Sequence, residues 1–124
     1  ISKLGGMIIV IDYGYKKHPG YFTLQSVYNN KKSNVLDNIG KQDITSLVDF
    51  NKLIDLGKKN NLIIEHFSSQ REFLLNNGIK ERENKILKVA NNKQRIILQK
   101  GVKRIIDKKD MGNLFKVLVL SKWN

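Results

Sequence analysis

The chain has 124 residues, with 23 Lys and Arg against 11 Asp and Glu, a formal charge of +12 and a pI near 10. That length holds one domain or part of one, and 40% apolar residues with a single proline lie outside the disordered and collagen-like classes. No apolar run approaches the roughly 18 residues of a membrane span, and the absence of cysteine excludes a disulfide framework, a thiolate metal site and a cysteine nucleophile. A reducing compartment, the cytoplasm, is the expectation, without membrane insertion. Of the cations, 19 are Lys and 4 are Arg, beside 15 Ile and 14 Asn. This is the composition of an AT-rich coding sequence, so charge alone is weak evidence for a nucleic-acid surface. The pairs Lys16-Lys17, Lys31-Lys32, Lys58-Lys59 and Lys108-Lys109 are scattered along the chain and read as solvated faces.

Ile1 stands where an initiator Met would, and residues 1–6 lack the pattern of a signal peptide; the start reads as internal to a longer protein. Met7 to Ile11 is a continuous apolar, β-branched run ended by Asp12-Tyr13-Gly14, the pattern of a strand buried on both faces in the middle of a parallel sheet. A turn at His18-Pro19-Gly20 follows, then a short extended segment within Tyr21 to Tyr28. Residues 29 to 43 read as a polar loop that packs only Val35, Leu36 and Ile39. Asp49 predicts an N-cap for a helix whose inner face carries Phe50, Leu53 and Ile54, ending at Lys58-Lys59-Asn60. Leu62 to Phe67 is the next strand. Ser69 and Glu72 have capping-box spacing for a short helix, stopped at Gly78. Two amphipathic helices, split near Asn91-Asn92, carry Ile79, Ile86, Leu87 and Ala90 on one face and Leu98, Val102, Ile105 and Ile106 on another. Leu114 to Leu120 closes the chain as a strand. Strand, loop, helix, strand, helices, strand is an α/β order.

Asp12-Tyr13-Gly14 ends a buried strand, the edge at which open α/β sheets place ligands; the bland reading has Asp12 capping a turn and Gly14 supplying a positive φ. Asp43 to Phe50 gathers two carboxylates and two hydroxyls at a helix start, which suits polar or anionic ligands or ordinary capping. His18 and His66 lack partners at metal-ligand spacing, so no metal is expected and both read as solvated or locally bonded. No phosphate loop, Gly-x-Gly-x-x-Gly or Gly-x-Ser-x-Gly is present.

Several blocks together resemble one family: Gly5-Gly6 through Ile11-Asp12-Tyr13-Gly14; Thr23-Leu24-Gln25; Asp43-Ile44-Thr45 through Val48-Asp49-Phe50; Gln70-x-x-Phe73-Leu74-Leu75 with Gly78-Ile79; and Met111-Gly112 with Phe115-Lys116-Val117-Leu118. In this order they are similar to the C-terminal part of the MidA-like S-adenosylmethionine-dependent methyltransferases. Eukaryotic members of that family are mitochondrial complex I assembly factors that dimethylate an arginine of a core subunit. The resemblance implies the C-terminal portion of a seven-stranded, Rossmann-like class I methyltransferase sheet. Residues 7 to 12, 62 to 67 and 114 to 120 would be strands five, six and the antiparallel seventh, and residues 69–107 a helical insertion before the last strand.

The same resemblance implies S-adenosylmethionine as cofactor, with most of its site in an N-terminal part that the 124 residues do not contain, so residues 1–124 form a partial domain inactive alone. Asp12 and Tyr13 would be catalytic, and Gly14, Thr45 and Asp49 would line the cleft for a protein substrate, a complex I subunit in the family's terms. The partner expected is the N-terminal part of the same enzyme, meeting an otherwise unpaired edge of strand five. The alternatives are an inactive remnant of a split gene and a basic nucleic-acid-binding module.

Overall fold

The computed structural model describes residues 4–123; Ile1, read above as an internal start, lies outside the described residues. The elements are β1 (Gly6–Tyr15), β2 (Gln25–Tyr28), β3 (Lys31–Ser33), β4 (Asp43–Thr45), β5 (Val48–Asp49), α1 (Phe50–Lys59), β6 (Ile63–Ser69), α2 (Gln70–Asn76), α3 (Ile79–Val89), α4 (Asn92–Ile106), α5 (Met111–Leu114) and β7 (Phe115–Lys122). The main sheet has the order β5-β1-β7-β6. β7 lies between β1 and β6 and is antiparallel to both, so β1 and β6 run the same way. The stub β5 adds to β1 in parallel at Gly14 and Tyr15 only.

Phe50, fully buried, forms the central cluster with Ile54, Leu118 and Leu120, and Val10, Val48, Leu53, Leu62, Ile64 and Phe67 pack around it. Strand alternation puts Leu118 and Leu120 on the face that α1 covers and Val117, Val119 and Ser121 on the other, all five buried. β6 keeps both Ile64 and Phe67 on the α1 face only because its register against β7 shifts between Ile64 and His66. One extra residue, Glu65, changes the parity of the strand, and the Ser121 hydroxyl donates to its carboxylate. On the opposite face the His66 ring lies 5.4 Å from Phe73 of α2.

The caps follow the spacing rules. Asp49 Oδ1 accepts from Lys52 N at 3.1 Å and Lys58 and Lys59 close α1; Ser69 Oγ accepts from Glu72 N at 3.2 Å. Gly78, at φ 81°, takes the left-handed conformation between α2 and α3. At the predicted split, Asn91 and Gln94 form a reciprocal capping box that starts α4. The end of α4 is held from α2: Gln70 Nε2 donates to Ile105 O at 2.9 Å and Arg71 Nη1 to Ile106 O at 2.6 Å. These bonds satisfy carbonyls that a helix C-terminus leaves free.

Three expectations are corrected. The first strand is not buried on both faces: Met7, Ile8, Ile9 and Ile11 are each exposed, Ile9 by 53%. Nor, among the described residues, is it in the middle of a parallel sheet, because its long partner is the antiparallel β7 and its other edge is paired only at β5. The segment 29–43 is not a loop throughout. Asn29 and Asn30, at φ 50° and 60°, make a two-residue hairpin turn closed by Tyr28 opposite Lys31, a turn that demands positive φ twice and that Asn tolerates. β3, β2 and β4 then form a second, three-stranded sheet, while Leu36 and Ile39 are largely exposed.

Phe50→Ala is expected to lower the unfolding free energy by about 3–5 kcal/mol, and Asp49→Ala by only ~1 kcal/mol through the lost cap. Urea midpoints of the two variants beside the parent check this ranking, and a larger effect at Asp49 would contradict it.

Candidate functional site

β1 runs through Asp12-Tyr13-Gly14 to Tyr15 instead of stopping before them. Asp12 therefore sits inside the ladder, opposite Lys116, and Tyr13 opposite Phe115. Asp12 Oδ1 accepts its neighbour's amide, Tyr13 N, at 2.8 Å, which turns one carboxylate oxygen toward the backbone and leaves the other free to accept. The Tyr13 and Phe115 rings meet edge to face at 5.3 Å, a favoured aromatic geometry. Both Asp12 and Tyr13 are half-buried.

Gly14 is buried, and its glycine identity comes from space, not φ. A Cβ there would lie 2.3 Å from Val48 O and 2.7 Å from the Phe50 ring. The reading of Gly14 as a positive-φ turn residue is thereby replaced: it is an extended ladder residue over which β5 and Phe50 close. Gly112 has the same reason, since a Cβ would lie 2.6 Å from Asp107 O and its own amide donates to that carbonyl at 2.9 Å.

Val48 pairs with Gly14 and Asp49 with Tyr15 in the β1–β5 contact, so Gly14 and Asp49 are diagonal neighbours, while Asp12 lies three strand positions, about 10 Å, from Tyr15 along β1. The Asp49 carboxylate is committed to the α1 cap and lies 3.7 Å from Lys52 Nζ. Thr45 belongs to the smaller sheet, opposite Gln25. That sheet borders a cleft of about 670 Å³ whose lining includes Tyr21, Phe22, Gln25, Ser26, Ser33 and Leu114. Its floor is tied by hydrogen bonds: the buried Ser26 hydroxyl donates to Ser33 O at 2.8 Å. Ser33 Oγ donates to Gln42 Oε1 at 2.8 Å, and Gln42 Nε2 to Val35 O at 2.6 Å. Leu114, which lines the cleft, immediately precedes Phe115, the ring partner of Tyr13.

Lys116, Phe115 and the Tyr21–Phe22 lip were missed by sequence reasoning as site residues. Lys116 and Phe115 belonged to a motif block, but only the β1–β7 register brings them opposite Asp12 and Tyr13. The Lys116 ammonium donates to Asn113 O, and desolvation by burial holds its pKa below the ordinary 10.5. His18 Nδ1 accepts from Gly20 N at 3.1 Å, and His66 Nε2 shares a hydrogen bond of 2.6 Å with Ser68 Oγ; both are locally bonded. Among the described residues no cluster of three His, Asp or Glu could hold a metal ion, and no helix is long and apolar enough to cross a membrane.

Residues 1–68 match a family described as "Putative S-adenosyl-L-methionine-dependent methyltransferase". The chain belongs to this family. It is also 32% identical over 121 residues to the protein arginine methyltransferase NDUFAF7 homolog, mitochondrial, of Caenorhabditis elegans, covering 97% of this chain and 28% of that protein. Two solved structures of COG1565 superfamily proteins from Burkholderia thailandensis share the fold. One, a native crystal structure, has a TM-score of 0.88 at 28% identity over 96% of this chain and 33% of its own. The other, bound to S-adenosyl-homocysteine, has a TM-score of 0.84 at 27% identity over 94% of this chain and 32% of its own. The α/β fold with its mixed sheet is thus similar to that of these COG1565 superfamily structures, and the chain spans about a third or less of the length of these relatives.

An S-adenosylmethionine-sized ligand needs an enclosure for its nucleoside and amino-acid ends. The sequence holds no glycine-rich strand-to-helix turn, and Asp12 and Tyr13 stand on a single strand whose far edge is open among the described residues. These residues fit one wall of such a site and do not enclose it.

Gly14→Ala is expected to destabilise the fold by about 1–3 kcal/mol or more, because backbone at Val48 must move; a chemical denaturation midpoint unchanged from the parent would contradict the close approach. For Lys116, the folded state binds the proton less tightly than the unfolded chain does. Its contribution therefore makes stability rise as pH climbs from the lowered pKa toward 10.5. Lys116→Met should flatten that part of the rise, read as the difference between parent and variant unfolding free energies from neutral pH to about 10.5.

Proposed function

We propose that this chain is the C-terminal part of an S-adenosylmethionine-dependent protein methyltransferase that N-methylates arginine, in support of respiratory complex I assembly. The observation that carries the reading is the superposition on a structure that holds S-adenosyl-homocysteine, at a TM-score of 0.84 over 94% of this chain. The arginine specificity is supported by the 32% identity to a relative named as a protein arginine methyltransferase. In this reading β1, β6 and β7 are strands five, six and seven of a seven-stranded sheet, residues 69–107 are an insertion before the last strand, and the N-terminal part of the same enzyme completes the cofactor site. Alone, the segment is inactive. Support for that partner comes from β1, whose residues 6 to 13 pair with β7 on one side only among the described residues and which exposes Met7, Ile9 and Ile11.

When bound, S-adenosylmethionine supplies the methyl group. The free oxygen of Asp12 accepts a hydrogen bond from the substrate guanidinium, which orients one nitrogen and offsets its charge. The Tyr13 ring, braced by Phe115, walls the approach, and Gly14 and Asp49 with Thr45 behind them form the side toward the protein substrate. The 670 Å³ cleft with its aromatic lip receives the flanking peptide.

The test uses the intact protein, with labelled methyl groups followed into acceptor proteins and methylarginine identified after hydrolysis. Asp12→Asn should lower transfer by about 100-fold or more with S-adenosylmethionine affinity kept within about threefold. Transfer to lysine or to a small molecule, or full activity in Asp12→Asn, would overturn the assignment.

A further inference from the structure

The helical segment concentrates the charge that seemed scattered in sequence. Residues 79 to 110 hold eleven of the 23 Lys and Arg and only four carboxylates. One of the four, Glu83, is buried and paired with Lys80 at 2.8 Å. A second, Asp107, uses Oδ1 to accept from Lys109 N at 2.9 Å.

α4 divides this charge by face. Leu98, Val102 and Ile106 turn inward, half-buried or buried. At 3.6 residues per turn, Lys93, Ile96, Ile97, Lys100 and Arg104 then share the opposite face, spaced i, i+3, i+4, i+7 and i+11, and all are exposed. Ile96 and Ile97 are 55% and 72% exposed, and Val89 at the α3–α4 turn is 86% exposed beside Lys88. At the C-terminal end of the face a cleft of about 410 Å³ is lined by Lys100, Lys103, Arg104 and Lys109, with Asp107 and Asp110.

We infer that this face of α4 docks the protein on an anionic lipid surface, with Ile96 and Ile97 entering the headgroup boundary and Lys93, Lys100, Lys103 and Arg104 meeting lipid phosphates. An aliphatic pair ringed by cations fits that boundary, where apolar side chains leave water while ammonium groups stay at the headgroups. Charge complementarity selects anionic over neutral lipid. It selects lipid over nucleic acid as well, because residues 79 to 110 contain no aromatic residue on which bases could stack, and isoleucines facing a phosphate backbone would remain wet. The inference does not rest on the methyl-transfer reading.

Co-sedimentation of the intact protein with phosphatidylcholine vesicles, pure or containing about 30% phosphatidylglycerol, tests it. Binding at least ~10-fold tighter to the anionic vesicles and lost in high salt is expected. The Ile96→Ser, Ile97→Ser double variant should weaken it by about 10-fold, and the Lys93→Glu, Lys100→Glu, Arg104→Glu triple variant should abolish it. These side chains are solvent-exposed, so circular dichroism should stay unchanged. As a second measurement, an environment-sensitive dye on Ile97→Cys should shift to the blue on vesicle addition, whereas the same dye on Asn51→Cys of α1 should not. Equal binding to both vesicle types, parent-like binding by the isoleucine variant, a dye at position 97 that stays wet, or binding to a single-stranded RNA oligonucleotide without binding to vesicles would each overturn it.

Discussion

Because Gly14 carries no side chain, Phe50 can lie directly against β1, and most of the sheet's α1-facing layer is organised around that contact. Val48 O sits where a Cβ would be, β5 closes on β1 at Gly14 and Tyr15, and α1 begins at the next residue with its ring already in the core. Leu118 and Leu120 then come onto the same cluster from β7. The Glu65 irregularity lets β6 contribute Ile64 and Phe67 to it as well. The central position of β7 is what joins the two parallel strands, since a strand antiparallel to both shares a ladder with each.

This arrangement separates packing roles from chemical ones within the motif blocks. Gly14, Asp49, Gln70 and Gly112 each have a structural reason visible in the fold: close approach, a helix cap, a bond to a helix-end carbonyl, and close approach again. Asp12 has no such commitment beyond one local amide. Its half-buried place between the Tyr13–Phe115 pair and the ladder position of Lys116 leaves it the residue with the most chemistry to offer. The Lys116 ammonium opposite it in the ladder is turned to Asn113 O, so the Asp12 carboxylate is not spent on an ion pair within the described residues.

The two faces of the protein carry different surplus. Around β1 it is apolar: an open edge and three exposed isoleucines, Ile8, Ile9 and Ile11. On the α3–α4 layer it is cationic with a small apolar centre. In the proposed reading the first is where the N-terminal part of the sheet would pair and the second is where an anionic surface would dock, so the two need not serve the same partner.

Much of the secondary structure was legible in the sequence, because caps and periodicity are local. Asp49, Ser69 and Gly78 bracket helices within a few residues of themselves, and the break at Asn91 follows from side chains bonding nearby amides. The strand at residues 7 to 11 was legible as a strand but not its environment, since an apolar run is the same whether its faces are covered or open. The Asn29-Asn30 hairpin was overlooked although its signal, two residues that tolerate positive φ, was present. By itself the sequence determined the α/β order, the family motifs and the candidate Asp12-Tyr13-Gly14. Only the tertiary structure decided that Lys116 stands opposite Asp12, that Gly14 is required by space, and which face of α4 is covered and which is left exposed. Register, close approach and facing are relations between segments far apart in the chain, and no local pattern encodes them.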